Sequence, residues 1–230
     1  MRLHFTLSPN TEPVPFAYQH RLTGVFHKWL SDNDLHDRIS LYSLAWLDGS
    51  RRVANRLEFP NGANWFVSFF EDEYVEKLVN GALANPEMFC GMRVLQIRQQ
   101  TTPDFGTKYC FKVGSAVFAK GKCAKGETPP HHLYHEPIAD EILTKTLIHK
   151  MDVANRESGG THFTDEDKKV RVSFDREFAN PKVKLVQIKD TQIHASICPV
   201  IIEGTPAAVR FAWNVGIGNG TGSCFGSLKE

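Results

Sequence analysis

The order in which its apolar residues change period constrains this 230-residue chain more than any other feature. Residues 2 to 8 (RLHFTLS) alternate apolar with polar, which reads as a strand turning Leu3, Phe5 and Leu7 inward. A Pro-rich turn follows, and from about Ala17 to Ser31 the period lengthens to that of a helix. Tyr18, Leu22, Val25, Phe26 and Trp29 then gather on one face. His20 and His27 share the opposite face, so neither imidazole is aimed at the core. After SDNDLHDR comes a strand over 39–47 (ISLYSLAWL), then a loop opened by DGSRR and a strand at 65–70 (WFVSFF). A helix over 71–84 has an acidic first turn suited to the helix dipole, and MFCGMRVLQIRQQ, 88–100, forms a fourth strand.

Strand, helix, strand, strand, helix, strand is a split βαβ, or ferredoxin-like, unit. The second half reads as the same unit again, after a linker TTPDFG at 101–106. It has a strand over 108–118, a helix over 139–155, and middle strands supplied by 168–174 and by the long stretch 183–202. A short helix over 205–214 carries Pro in its first turn, and a last strand ends near Leu228. The expected fold is therefore α+β: two tandem ferredoxin-like (βαββαβ) domains, 1–100 and 101–230.

Charge and cysteine usage narrow the class. With 27 basic and 26 acidic residues the chain is nearly neutral, which excludes polybasic nucleic-acid binding but leaves room for a local basic groove. Five scattered cysteines without a C-x-x-C pair argue against a disulfide framework or thiolate zinc site and fit reduced thiols in a cytoplasm. The opening MRLHFTLSPN is too short and too alternating for a signal peptide, and no apolar run approaches the ~18 residues of a membrane span. A cytoplasmic protein with no membrane partner is expected.

Three clusters carry potential chemistry. Gly216, Gly218, Gly220, Gly222 and Gly226 fall within eleven residues, yet match neither G-x-G-x-x-G nor G-x-x-x-x-G-K-[ST]; such clustering marks positive-φ turns or close backbone approach. His131, His132 and His135 in PPHHLYHEP have spacing compatible with a metal, with Glu136 near, but prolines flank them and no second motif completes a site. A solvated or RNA-facing loop is the favoured reading, and no metal is expected. Arg51 and Arg52, together with Lys120, Lys122 and Lys125 on AKGKCAKG, either bracket phosphates or are solvated hairpin tips.

The glycine run GIGNGTGSCFGS resembles the C-terminal loop of the CRISPR-associated RAMP proteins, G-h-G, five residues, G-h-G. Gly216-Ile217-Gly218 fills its first half and Cys224-Phe225-Gly226 its second, with Cys in place of a glycine. PFAYQHRLTGVFHKWL, the isolated histidine beyond it, the strand with Tyr42-Ser43 and NGALANPEMF are similar to one RAMP group, the CRISPR-associated repeat-processing endoribonuclease (Cas6) family. The resemblance implies RAMP/RRM-like folds and metal-independent cleavage of precursor CRISPR RNA within each repeat. The substrate's 2′-hydroxyl attacks the adjacent phosphate, leaving 2′,3′-cyclic phosphate and 5′-hydroxyl ends. It also implies that His36 occupies the family's catalytic histidine position, that Arg38 stands where the family has Lys, and that His27 stands where it often has Tyr. The expected partners are CRISPR repeat RNA, as precursor and as mature crRNA, a CRISPR effector complex and a second copy of the chain. No cofactor is expected.

Transesterification needs a base for the 2′-hydroxyl, an acid for the leaving 5′-oxygen and a cation beside the phosphorane. Imidazole can serve in either protonation state near neutrality, and a guanidinium can grip two phosphate oxygens. His36 is accordingly assigned as base, His27 as acid and Arg38 as phosphorane stabiliser, the two histidine roles being interchangeable. His20, Arg51, Arg52 and the five loop glycines are the expected RNA contacts. The competing reading is a non-catalytic RAMP-fold RNA-binding subunit of an effector complex. A third, a metal-dependent nuclease or phosphodiesterase, rests on the HHLYH cluster.

Overall fold

The computed structural model describes every residue except 32, 34, 36, 37, 158 and 161. In the first half, β1 (Arg2–Leu7) is followed by β2 (Val14–Pro15), α1 (Gln19–Leu30), β3 (Tyr42–Leu44), β4 (Arg51–Val53), β5 (Arg56–Glu58), β6 (Ala63–Phe69), α2 (Glu73–Ala84) and β7 (Val94–Gln100). Its main sheet runs β3-β6-β1-β7, with every neighbouring pair antiparallel. The alternation of β1 has the expected result: Leu3, Phe5 and Leu7 are buried, and Phe5 packs against Trp29 of α1 and Trp65 of β6. Leu22, Val25, Phe26 and Trp29 form the buried face of α1, as its period requires. The two helices cross closely at Gly81, where a Cβ would lie 1.9 Å from the Trp29 carbonyl oxygen.

The second half holds β8 (Lys108–Val113), β9 (Ala119–Lys120), β10 (His131–His132), α3 (Pro137–Glu157), β11 (Arg171–Phe174), β12 (Lys182–Ile188), β13 (Thr191–Ile197), β14 (Val200–Glu203), α4 (Pro206–Val215) and β15 (Leu228–Lys229). Its sheet order, β11-β14-β8-β15, repeats that of the first half strand for strand. The chain is thus two tandem ferredoxin-like folds. The start of α4 has the sequence signature of a helix entry: Pro206 at its first position and the Thr205 hydroxyl accepting from Ala208 N–H.

Four local expectations need correction. The stretch 183–202 does not all enter the central sheet: β12 and β13 form a separate two-stranded hairpin, and only β14 takes the middle position. The hairpin seats Val186 and Ala195 on a small cluster with Ala116, Phe118 and Phe225, while Val183 and Leu185 stay exposed. The strand expected over 108–118 stops at Val113, because Gly114 is pressed against the other half; a Cβ there would meet the Phe66 ring at 2.5 Å. The fourth strand starts only at Val94, after a turn in which Cys90 and Gly91 both have positive φ. The strand expected over 39–47 is confined to Tyr42–Leu44.

At its first residue the outward face of β1 meets protein and not solvent, although Thr6 on the same face is exposed. Arg2, only 2% exposed, donates from Nε to Ser68 Oγ (2.6 Å) and from Nη2 to the carbonyl oxygens of Trp213 (3.2 Å) and Leu228 (2.7 Å). Its guanidinium carbon lies 4.1 Å from the Phe66 ring centre and 3.4 Å from that of Trp213. One arginine therefore joins the first strand of one half to the last helix and last strand of the other. Among the described residues no helix is long and apolar enough to cross a membrane.

Candidate functional site

The polar face of α1 opens onto a cleft of about 710 Å³. His20, Thr23, Gly24 and His27 form its floor. Gly220, Ser223 and Phe225 of the glycine-rich loop form one wall, beside Phe118. The tip of the β12–β13 hairpin, residues 188–191, forms another, so that Lys189 and Asp190 border the cleft. The helical period placed His20 and His27 together, and the structure gives them a shared cavity. Lys189 was not anticipated; its only signal in the sequence is a Lys-Asp pair between two alternating runs.

His27 is half-buried, with its ring edge-on to Phe26. Its Nδ1 lies 3.3 Å from Asn33 Oδ1. The Asn33 amide is oriented by its other bonds, since Nδ2 donates to the Ser31 carbonyl oxygen and Oδ1 accepts from Leu35 N–H. An amide oxygen only accepts, so in this contact the His27 Nδ1 is the donor. His36 lies outside the described residues. Arg38 is not brought to this cleft: it borders a separate, smaller depression with Leu35, Tyr42 and Tyr74.

Most of the loop is packing. Gly216, Gly218, Gly222 and Gly226 are buried, and added Cβ atoms would meet Gly226 O, Phe118 O, Ser40 Oγ and Ile217 O at 2.7, 2.5, 2.4 and 1.9 Å. These four glycines let the loop thread between the halves; of the five, Gly220 is the one exposed on the cleft. Cys224, which departs from the RAMP pattern, keeps the left-handed conformation with φ 65° and is fully buried. Its Sγ donates to the Gln19 carbonyl oxygen at the start of α1, and its own carbonyl accepts from Trp46 Nε1. Burial pushes the thiol up to about 12, so it stays protonated.

Beneath the loop lies Lys150 of α3, buried, its Nζ donating to Val215 O (2.9 Å) at the end of α4 and to Thr221 Oγ1 (2.8 Å). A cation is favoured at a helix C-terminus, but burial pulls the ammonium down to about 7 from 10.5. Below about 7 the folded protein buries a full charge; between 7 and 10.5 folding releases a proton, and the fold gains stability as pH rises. The stability of Lys150→Met relative to wild type, measured by urea unfolding, is therefore expected to be greatest near pH 6 and to decline steadily toward pH 10. A pH-independent difference would contradict this.

The remaining candidates lie elsewhere. Arg51 pairs with Glu58 at 2.9 Å and Arg52 sits over the Phe16 ring, both on the β4–β5 hairpin and outside the cleft lining. His132 Nδ1 lies 2.8 Å from Glu136 Oε2, and this contact holds the Glu136 carboxyl below its usual range. His131 Nδ1 accepts from His194 N–H of β13. His131 and His132 lie on β10 and His135 in the turn before α3, so the cluster anchors the hairpin and the helix entry. Among the described residues no three of His, Cys, Asp and Glu assemble into a group that could hold a metal ion.

Two ferredoxin-like folds with a glycine-rich loop wedged between them have the architecture of the RAMP proteins. The family model "CRISPR associated protein Cas6, C-terminal" matches residues 98–230, and the chain belongs to the Cas6 family. The structure is similar to that of a Cas6-related gene product from Pyrococcus furiosus, with TM-score 0.82 and 18% identity over 100% of this chain and 97% of that one. A CRISPR-associated protein Cas6 matches with TM-score 0.79 and 19% identity, covering 99% and 98% of the two chains. An RAMP protein binding different RNA substrates matches with TM-score 0.78 and 18% identity, covering 100% and 98%. No curated protein matches the chain.

Proposed function

We propose that this protein is a metal-independent endoribonuclease that cleaves precursor CRISPR RNA within the repeat. The observation that carries this reading is the single cleft in which the histidine-bearing face of α1 confronts the glycine-rich loop of the other half. Membership of the Cas6 family and the likeness to an RNA-binding RAMP protein support repeat RNA as the occupant. His36 acts as base on the 2′-hydroxyl and His27, through Nε2, as acid to the leaving 5′-oxygen. His20 and Gly220 contact the strand. Arg38 is proposed as the phosphorane-stabilising cation on its sequence position; Lys189 is the lysine that borders the cleft itself. Comparing Arg38→Ala with Lys189→Ala separates the two, since loss of transition-state stabilisation lowers the saturating rate.

The deciding experiment incubates the protein with repeat RNA in EDTA. Fragments ending in 2′,3′-cyclic phosphate and beginning with 5′-hydroxyl are expected, at an unchanged rate. Cleavage abolished by the chelator would overturn the mechanism, and tight binding without cleavage would leave an RNA-binding subunit.

A further inference from the structure

Glycine within a helix costs about 0.5–1 kcal/mol relative to alanine, so its presence calls for a neighbour that forbids a side chain. Gly81 has one in the Trp29 carbonyl oxygen. Gly24, in the middle of α1, has none: a Cβ built there meets nothing within 4 Å. The residue is exposed and lies on the floor of the cleft. It stands four residues after His20 and three before His27, so the three positions share one stripe of the helix. Among the described residues nothing uses the space that the missing side chain leaves.

We propose that the backbone of the bound RNA lies directly on α1 at Gly24, where the absent side chain admits a ribose-phosphate unit between the two imidazoles. This rests on the reading of the cleft as an RNA site. His20 then touches the strand on one side of the contact and His27 acts on the other, about 10 Å away along the helix axis. Lys189 and Ser223 close the track from the facing walls. A methyl group at position 24 would intrude on the track, and an isobutyl group would fill it.

The test uses Gly24→Ala and Gly24→Leu, both of which raise helix propensity and so are not expected to impair folding. Thermal unfolding is measured alongside the Kd for repeat RNA carrying a 2′-deoxy substitution at the cleavage site. A Tm equal to or above that of wild type is expected. RNA binding weakens by about tenfold for alanine and more for leucine. Half-saturation in single-turnover cleavage rises in step with Kd. A leucine variant that binds as wild type does would overturn the inference alone. Wild-type protein that binds no repeat RNA would overturn the reading of the cleft, and this inference with it.

Discussion

Replacing His36 by alanine is expected to slow single-turnover cleavage of repeat RNA by about 10²–10⁴-fold, the usual contribution of a general acid or base, and His27→Ala to do likewise. The expectation for His27 has a geometric basis. Asn33 fixes the ring through Nδ1, and the edge-on contact with Phe26 restricts its tilt, so Nε2 is held in a defined direction from a half-buried position. Orientation of this kind is what makes a weak acid effective in a transition state. RNA affinity should change little in either variant, because the loop and hairpin walls remain. The double variant should lose less than the product of the two single losses, since acid and base act in one concerted step. Wild-type rates in His36→Ala would remove that residue from the mechanism. A weakened Kd with an intact saturating rate in His27→Ala would make it a binding residue instead.

Arg2→Ala should destabilise the protein by about 3–5 kcal/mol, read as a fall in the urea midpoint at constant m. The guanidinium makes three hydrogen bonds and lies over two rings at the junction of the halves, where burial lowers its pKa to about 9 and leaves it charged at neutrality. Truncation strands Ser68 Oγ and two carbonyl oxygens away from water and opens a void against Trp213. Arg2→Lys should restore little, because a single ammonium lacks the planar fork that reaches all three acceptors while stacking on the indole. A loss below about 1 kcal/mol would show the arginine to be replaceable.

Arg2 also shows where sequence reading runs out. The alternation of β1 made Leu3, Phe5 and Leu7 legible as core, but placed Arg2 on the outer face without revealing what that face meets; its acceptors Trp213 and Leu228 come more than 200 residues later. The α1 face was legible for the same reason that its histidines were: a single helical period fixes both. The β12–β13 hairpin was legible as strand but not as an insertion, because alternation records local conformation and not the sheet a strand joins. The loop glycines were visible as a cluster, yet their contacts with Phe118, Ile217 and Ser40 are tertiary, so the packing role of most of them could not be read from the sequence. Lys150 carried no signal at all, since a lysine on a helix ordinarily points to solvent.

The wall facing the α1 histidines is made by chain synthesised much later: Cys224, which docks on the start of α1, follows Thr23 by 201 positions. During translation the imidazole of His27 thus emerges from the ribosome long before there is any chamber to hold a transcript against it. The chamber for the proposed cleavage is therefore complete only when the distal portion of the chain has been released and folded back.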